Sequence, residues 1–279
     1  MTNGSHWLDP VRRALDTAPH PVRVFFRDDD AGWDDAALFR LLARFRAYDA
    51  PIDLAVIPCA LTAPLARRLR RAAEASHGRI GMHQHGYAHA NHEVTGRKCE
   101  FGASRSAHVQ RADIAAGRAI LDDLLGAHAE RIFTPPWNRC THETAACLTD
   151  LGFRALSRDV TAAPLPPFGL AELRVAVNWL TGPRGVRVSH GEQGDTLAAA
   201  IDAAAASGDP VGIMLHHAVM DHVALGAIGE LLRLFAAHSN VRWSRMQLIL
   251  APEVRHAPTV RPASAVYASA ETWMSGRDV

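Results

Sequence analysis

Short apolar stretches alternate along this chain with longer segments whose apolar residues recur at helical spacing. The apolar stretches, which predict strands, are residues 22–26, 52–57, 80–82, 131–133, 154–156, 173–179 and 211–215, with a weaker one near Val241 or 248–250. The helical spacing predicts helices over residues 34–48, 65–75, 107–127, 141–151, 195–206 and 223–237. Because most strands are followed by a helix, the pattern predicts an α/β fold with a parallel sheet.

The number of strand–helix units indicates how this sheet closes. Seven or eight strands in 279 residues favour a closed or nearly closed barrel, and a doubly wound open sheet is the second interpretation. We expect a single barrel domain over residues 1–250. Residues 251–279 contain Pro, Ala and Ser with little periodicity, so we expect a C-terminal extension over the surface.

The composition narrows the classes of partner. Lys and Arg total 30 and Asp and Glu total 29, so no net charge attracts the chain to nucleic acid or to an acidic membrane. No stretch of 18 apolar residues occurs, and the first ten residues lack the apolar region of an export signal. We therefore expect a cytoplasmic protein that binds neither nucleic acid nor membranes. The four cysteines form no CxxC pair and are expected to be reduced thiols.

Two polar runs directly follow predicted strands. Residues 83–89 read His-Gln-His-Gly-Tyr-Ala-His, and residues 28–30 are three consecutive aspartates. Carboxylate oxygen and imidazole nitrogen together suit zinc or a similar first-row divalent ion. Because the functional face of a parallel barrel lies at the carboxyl ends of its strands, we expect both runs at that face.

The three aspartates and the histidines together favour a metal site. Adjacent carboxylates raise one another's pKa values, and a bound cation removes that cost. An exposed acidic turn or a helix N-cap is the alternative for the aspartates taken alone. His85 and His89 are four residues apart with Gly86 between them, so a tight loop or one helical turn can direct both at one ion. We predict one divalent metal ion, with zinc favoured and nickel or cobalt as alternatives.

Further polar residues follow later strands at the same face. Trp137 follows the fourth strand, and His216 and His217 end a late one. Side-chain alternation sends one of these two histidines into the barrel mouth, where an imidazole suits a general acid. A structural histidine is the alternative. Trp137, which follows two prolines, is expected either to form a wall for a sugar ring or to be a core aromatic.

These motifs, in this order, resemble the polysaccharide deacetylase family, carbohydrate esterase family 4 and its relatives, over most of the chain. The resemblance implies a distorted (β/α)7-type barrel of parallel strands with one divalent metal, usually zinc. The family's first motif is a pair of aspartates, so Asp29 is the expected base and Asp30 the expected metal ligand. The alternative register makes Asp28 the base and Asp29 the ligand. The second motif, His-x-x-x-His, makes His85 and His89 metal ligands.

Two later motifs match less closely. The third motif, Arg-x-Pro-aromatic-Gly, corresponds to residues 134–138, Thr-Pro-Pro-Trp-Asn, so the arginine that holds the catalytic aspartate in the family is absent. Arg27, Arg139 or Arg158 is the expected replacement. The last motif, an apolar strand ending in a catalytic histidine, corresponds to the strand that ends at His216. These departures suggest a divergent branch.

The activity that the resemblance implies is removal of an acetyl or other acyl group from an N-acetylated sugar or a related amide. Asp29 is expected to take a proton from water and His216 to protonate the leaving amine, while Asp28, Trp137 and His217 are expected to contact substrate. Since no export signal was found, a small or nucleotide-linked sugar is favoured over a polymer. A hydrolase of a non-sugar amide and an inactive carbohydrate-binding barrel are the alternatives.

Overall fold

The computed structural model describes residues 6–166, 169–180 and 187–250. The strands in these ranges form one parallel sheet and are β1 Val22–Ala31, β2 Ile52–Val56, β3 Ile80–His85, β4 Ala129–Thr134, β5 Ala155–Asp159, β6 Ala171–Val175, β7 Val177–Asn178, β8 Val211–Leu215 and β9 Val241–Trp243. Their order is β6-β5-β4-β3-β2-β1-β8-β7, with β9 also paired to β1. Eight strands therefore form a nearly closed barrel, which confirms the predicted barrel over the open sheet.

The barrel closes through the segment that contains β6 and β7. β6 pairs with β5, whereas β7 pairs with β8, and Ala176 alone separates the two strands. β6 and β7 thus act as one bent strand that connects the two ends of the sheet. Counted in this way, and with β9 outside the ring, the barrel has seven strands, in agreement with the (β/α)7 form.

Helices cover the outside of this barrel. They are α1 Asp9–Thr17, α2 Asp35–Ala47, α3 Ala63–Ala75, α4 Ala107–Leu125, α5 His142–Asp150, α6 His190–Ser207, α7 His222–Ala237 and α8 Met246–Ile249. α6 begins earlier than its apolar spacing predicts, because Ser189 and Glu192 form a capping box. The weak strand lies near Val241, and its alternative placement at 248–250 is wrong because that segment is mostly helix α8. No helix in the described ranges is long and apolar enough to cross a membrane, and the predicted extension over 251–279 lies outside them.

Alternation along β1 determines which of its side chains face the barrel interior. Phe26 packs outward against Phe45 of α2, with ring centroids 5.0 Å apart. Phe25 belongs to a second apolar cluster together with residues of β4, β5, β6 and β8. Because side chains on one face of a strand are two residues apart, Arg27 and Asp29 share the interior face of Phe25.

β1 and β3 continue further than their apolar patterns predict. β1 extends through Asp30, and β3 extends through His85. The backbone ladder includes these polar positions, since Asp28 pairs with Leu54 of β2. Polar residues can continue a buried strand where their side chains have bonded partners. Those partners form the candidate site.

Candidate functional site

Asp30, His85 and His89 lie together at the carboxyl ends of β1 and β3. Nε2 of each histidine is 3.2 Å from the same oxygen, Oδ1 of Asp30. The three potential ligand atoms lie within 4.8 Å of one another, a spacing that suits one divalent ion. Nδ1 of His85 donates to the carbonyl of Thr134 at 3.0 Å, so the neutral ring carries its lone pair on Nε2, the atom that a metal ion would bind. The structure thus brings together the three residues predicted as ligands.

The charges of this group also suit a cation. Burial alone would raise the pKa of Asp30, but hydrogen bonds from His85 and His89 outweigh burial and lower it far below its usual range. Burial alone would lower the pKa of His85, but Asp30 and Asp29 outweigh burial and raise it. The carboxylates therefore draw positive charge to Nε2 of His85, and a divalent ion can replace the proton there.

Two indole rings hold the imidazole of His89. The ring centroids of Trp33 and Trp137 are 4.7 Å and 4.5 Å from that of His89. Asp30, His89 and Trp137 have left-handed backbone conformations, with φ of 70°, 55° and 55°. Conformations of this kind cost about 1 to 3 kcal/mol each in residues other than glycine and cluster at functional sites. Trp33 was not predicted from the sequence, although it follows the aspartate run closely.

A buried carboxylate organises the loop that carries His89. Glu100 accepts hydrogen bonds from the backbone N–H groups of Tyr87, Ala88 and Ala90 at 3.2, 2.8 and 3.4 Å. The loop begins at Gly86, whose φ is 55° and where a Cβ would lie 2.1 Å from Oε2 of Glu100. Only glycine fits this position. Glu100 was not predicted from the sequence, where its one signal is an acidic residue between Cys99 and Phe101.

Asp29 is held by an arginine of its own strand. Nε and Nη2 of Arg27 donate to the two carboxylate oxygens of Asp29, each at 2.8 Å. This fork-to-fork geometry fixes the carboxylate plane. Of the three arginines considered as replacements, Arg27 is the one beside Asp29, whereas Arg139 and Arg158 bond elsewhere.

Arg27 is itself fixed from the far side of the barrel. It donates to Oγ of Ser157 at 2.8 Å and to Oδ1 of Asn138 at 2.7 Å, and its side chain is fully buried. Burial alone would raise the pKa of Asp29, but Arg27, followed by His85 and His216, outweighs burial and lowers it. Asp29 is therefore a buried carboxylate that stays ionised and can accept a proton.

His216 lies between Asp29 and an open cavity. Its Nε2 is 4.0 Å from Oδ2 of Asp29, and 28% of its side chain is exposed. His216 and Trp137 both line a cavity of about 920 Å³. An imidazole with this access can exchange a proton with a bound molecule.

Asp28 and His217 bond to each other beneath this surface. Nδ1 of His217 donates to Oδ2 of Asp28 at 2.7 Å, and Nε2 donates to the carbonyl of Trp33 at 2.6 Å. Burial alone would lower the pKa of His217, but Asp28 outweighs burial and raises it to about 9. Both side chains are fully buried, and the structure does not bring either to the cavity that Trp137 and His216 line. This enclosure of Asp28 favours the register with Asp29 and Asp30 at the site.

Several solved structures share this architecture. A proposed polysaccharide deacetylase from Mycobacterium smegmatis aligns with a TM-score of 0.62 and 17% identity over 83% of this chain and 89% of that one. A family 4 carbohydrate esterase from Streptomyces lividans, solved with acetate, aligns with a TM-score of 0.51 and 13% identity over 81% of this chain and 93% of the esterase. The wild-type BA3943 protein from Bacillus anthracis, a family 4 pseudoenzyme, aligns with a TM-score of 0.50 and 11% identity over 84% of this chain and 66% of the pseudoenzyme. This chain has the fold of the family 4 carbohydrate esterases.

The comparison confirms the resemblance to family 4 at the level of the fold. Neither the protein-family models nor the sequences of curated proteins gave a match to the chain. The low identities are those of a divergent chain, and the family 4 barrel accommodates both an esterase and a pseudoenzyme. The shared barrel therefore does not define the function, which depends on the side chains at its carboxyl end.

Proposed function

We propose that this protein is a metal-dependent hydrolase that removes an acetyl, or other acyl, group from an N-acetylated sugar or a related amide. The observation that supports this most directly is the convergence of Asp30, His85 and His89 beside Asp29, an ionised carboxylate that Arg27 holds in place. The adjoining cavity and the family 4 fold are consistent with a carbohydrate substrate. A cytoplasmic location, as expected from the sequence, belongs to the same proposal.

The ligand set fits one divalent ion, with zinc favoured and nickel or cobalt as alternatives. Asp30, His85 and His89 would hold it, and an ion bound there supplies Lewis-acid polarisation of the acyl carbonyl and activation of water. The hydrogen bond from His85 to Thr134 and the ring contacts of His89 keep both imidazoles oriented before any ion arrives.

The proton transfers are assigned to Asp29 and His216. Asp29 accepts the proton of the attacking water, and the fork of Arg27 keeps its carboxylate in one orientation during that transfer. His216, at the edge of the cavity, donates a proton to the leaving nitrogen or oxygen. The products are a carboxylic acid, acetate in the simplest case, and a free amine or hydroxyl.

Asp28 and His217 receive a supporting role in place of the substrate contact expected from the sequence. Their ion pair ties the strand end of β8 to the carbonyl of Trp33, the residue whose ring packs on His89. Trp137 keeps its proposed role as a wall for the substrate, since it lines the cavity and contacts His89.

The proposal is tested by measuring metal content and acetate release together. Purified wild-type protein should contain about one equivalent of a divalent ion per chain, and it should release acetate from small N-acetylated sugars. His85→Ala/His89→Ala should lose both properties. The control, His20→Ala/His108→Ala, removes two exposed histidines and should lose neither. Wild-type protein that binds no ion after reconstitution would refute the proposal.

The pseudoenzyme of this fold makes an inactive carbohydrate-binding barrel the second candidate. Asp29→Asn separates the two, because it removes the proposed base but leaves the three metal ligands. In a hydrolase this variant should keep its metal and lose turnover. Sugar binding by the wild type without acetate release would favour the carbohydrate-binding barrel. Acid release from non-sugar amides, and not from N-acetylated sugars, would favour a hydrolase of non-sugar amides.

A further inference from the structure

The cavity beside the candidate site carries two cationic side chains that the proposed reaction does not use. Arg97 and Arg139 line it together with Trp137 and His216. Its volume of about 920 Å³ exceeds what one sugar ring needs. Arg139 is two residues after Trp137, so the cationic part of the cavity adjoins the proposed substrate wall.

These two arginines lack the counterions that neighbouring arginines have. Arg158 forms an ion pair with Glu172, with Nη2 and Oε1 2.6 Å apart. In the described part of the chain, neither Arg97 nor Arg139 lies within ion-pairing distance of a carboxylate. The acidic residue that lines the cavity, Asp159, instead accepts hydrogen bonds from the backbone and hydroxyl of a threonine in its own loop, at 2.8 and 2.6 Å.

Arg139 also has unused hydrogen-bonding capacity. Its Nη1 donates to the carbonyl of Lys98 at 2.8 Å, but its Nε is buried and has no acceptor. Burial, and after it the like charge of Arg97, lowers the pKa of Arg139, and the charges of Cys99 and Asp159 offset only part of that effect. A buried donor without an acceptor and two repelling cations both cost stability. An anion bound in the cavity between the two guanidinium groups would relieve the repulsion between them.

We propose that Arg97 and Arg139 bind an anionic group, a carboxylate or a phosphate, of the acylated substrate. The inference rests on the proposed function and narrows it: the preferred substrate is a negatively charged N-acyl sugar. A guanidinium group can donate two parallel, charge-assisted hydrogen bonds to two oxygens of a carboxylate or of a phosphate. Trp137 and His216 then face the acylated end of the same molecule.

The test measures binding by calorimetry, independently of turnover, with three probes that share one sugar. N-acetylglucosamine is neutral, its 6-phosphate carries a phosphate, and the corresponding uronic acid carries a carboxylate. The variant Arg97→Gln/Arg139→Gln removes both charges. Arg154→Gln is the matched control, because Arg154 is exposed at the start of β5, at the opposite end of the barrel. Circular dichroism confirms that each variant is folded.

We expect wild-type protein and Arg154→Gln to bind at least one anionic probe about tenfold more tightly than the neutral sugar, which corresponds to about 1.4 kcal/mol of binding free energy. The phosphate and carboxylate arms identify which anion is preferred. The double variant should bind all three probes with the affinity of the neutral sugar. Equal binding of the three probes by wild-type protein, no binding of any, or a preference that survives in the double variant would overturn the inference. A preference without acetate release would refute the proposed hydrolase and leave the anion site standing.

Discussion

At the scale of single residues, Arg27 takes the place expected for the third-motif arginine, which would contact Asp29 from a distant segment of the chain. The two residues are adjacent on one face of β1, so strand geometry alone brings guanidinium and carboxylate together. Ser157 and Asn138 then keep Arg27 extended across the barrel interior. The absence of the third-motif arginine therefore does not leave Asp29 without a partner.

The substitution Arg27→Lys tests this arrangement. Lysine keeps the charge but cannot contact both carboxylate oxygens in one plane, so Asp29 loses its fixed orientation. We expect kcat for acetate release to fall on the order of 100-fold, with metal content unchanged, as measured by initial rates and elemental analysis. Arg158→Lys, the control, alters another buried arginine and should lower thermal stability while sparing kcat. Equal losses of kcat in the two variants would contradict the assignment.

At the scale of the elements, the sequence predicted most of the strands and helices, and it placed the proposed metal ligands at or just after strand ends. Those predictions succeed because period-2 and period-3.6 patterns record which faces are buried. The contact of Glu100 with the loop of His89 leaves no such pattern, because it joins a side chain to backbone N–H groups ten or more residues away. The division of 173–179 into β6 and β7 is likewise set by pairing partners and not by local residues.

The loop contact makes a prediction for Glu100→Gln. The amide keeps the size of the carboxylate but loses its charge and brings an NH₂ group toward backbone donors, so the loop is held less firmly. We expect metal affinity, measured by competition with a chelator, to weaken about 10- to 100-fold, the range for residues that orient metal ligands. The control is Glu93→Gln, which alters a carboxylate that accepts hydrogen bonds from Ser104 at the surface. An affinity that matches wild type would show that the loop is fixed without Glu100.

At the scale of the whole molecule, the end of the barrel opposite the candidate site holds a second buried charge cluster. Asp53 and Glu130 are the second residues of β2 and β4, and Arg245, just before α8, bonds to Glu130. The backbone N–H of Met246 donates to Asp53 at 2.8 Å. These contacts attach the segment after β9 to the barrel floor, and Gly81 leaves room for both carboxylates.

This cluster should make the stability of the protein depend on pH. Burial is the main reason that the pKa of Glu130 is raised from 4.5 to about 8 and that of Asp53 from 3.8 to about 6. Because the pKa of each carboxyl is higher in the folded protein than in the unfolded chain, the folded protein binds more protons than the unfolded chain at pH values between the two pKa values of each group. The contribution of the cluster to the free energy of unfolding is therefore greatest below the unfolded-chain pKa values of 3.8 and 4.5, and it falls as pH rises toward 8.

Glu130→Gln should flatten this dependence, since glutamine stays neutral while its amide oxygen still accepts from Arg245. Urea unfolding between pH 4.5 and 8, the interval set by the two pKa values of Glu130, should show a shallower decline in the variant than in wild type. Glu143→Gln is the control, because Glu143 is only partly buried and hydrogen bonding from Thr141 lowers its pKa, so that it titrates below this interval. Parallel curves for Glu130→Gln and wild type would mean that Glu130 is already ionised at pH 4.5 because Arg245 stabilises its charge. The barrel floor would then be closed by the ion pair between Arg245 and Glu130, and not by a protonated Glu130.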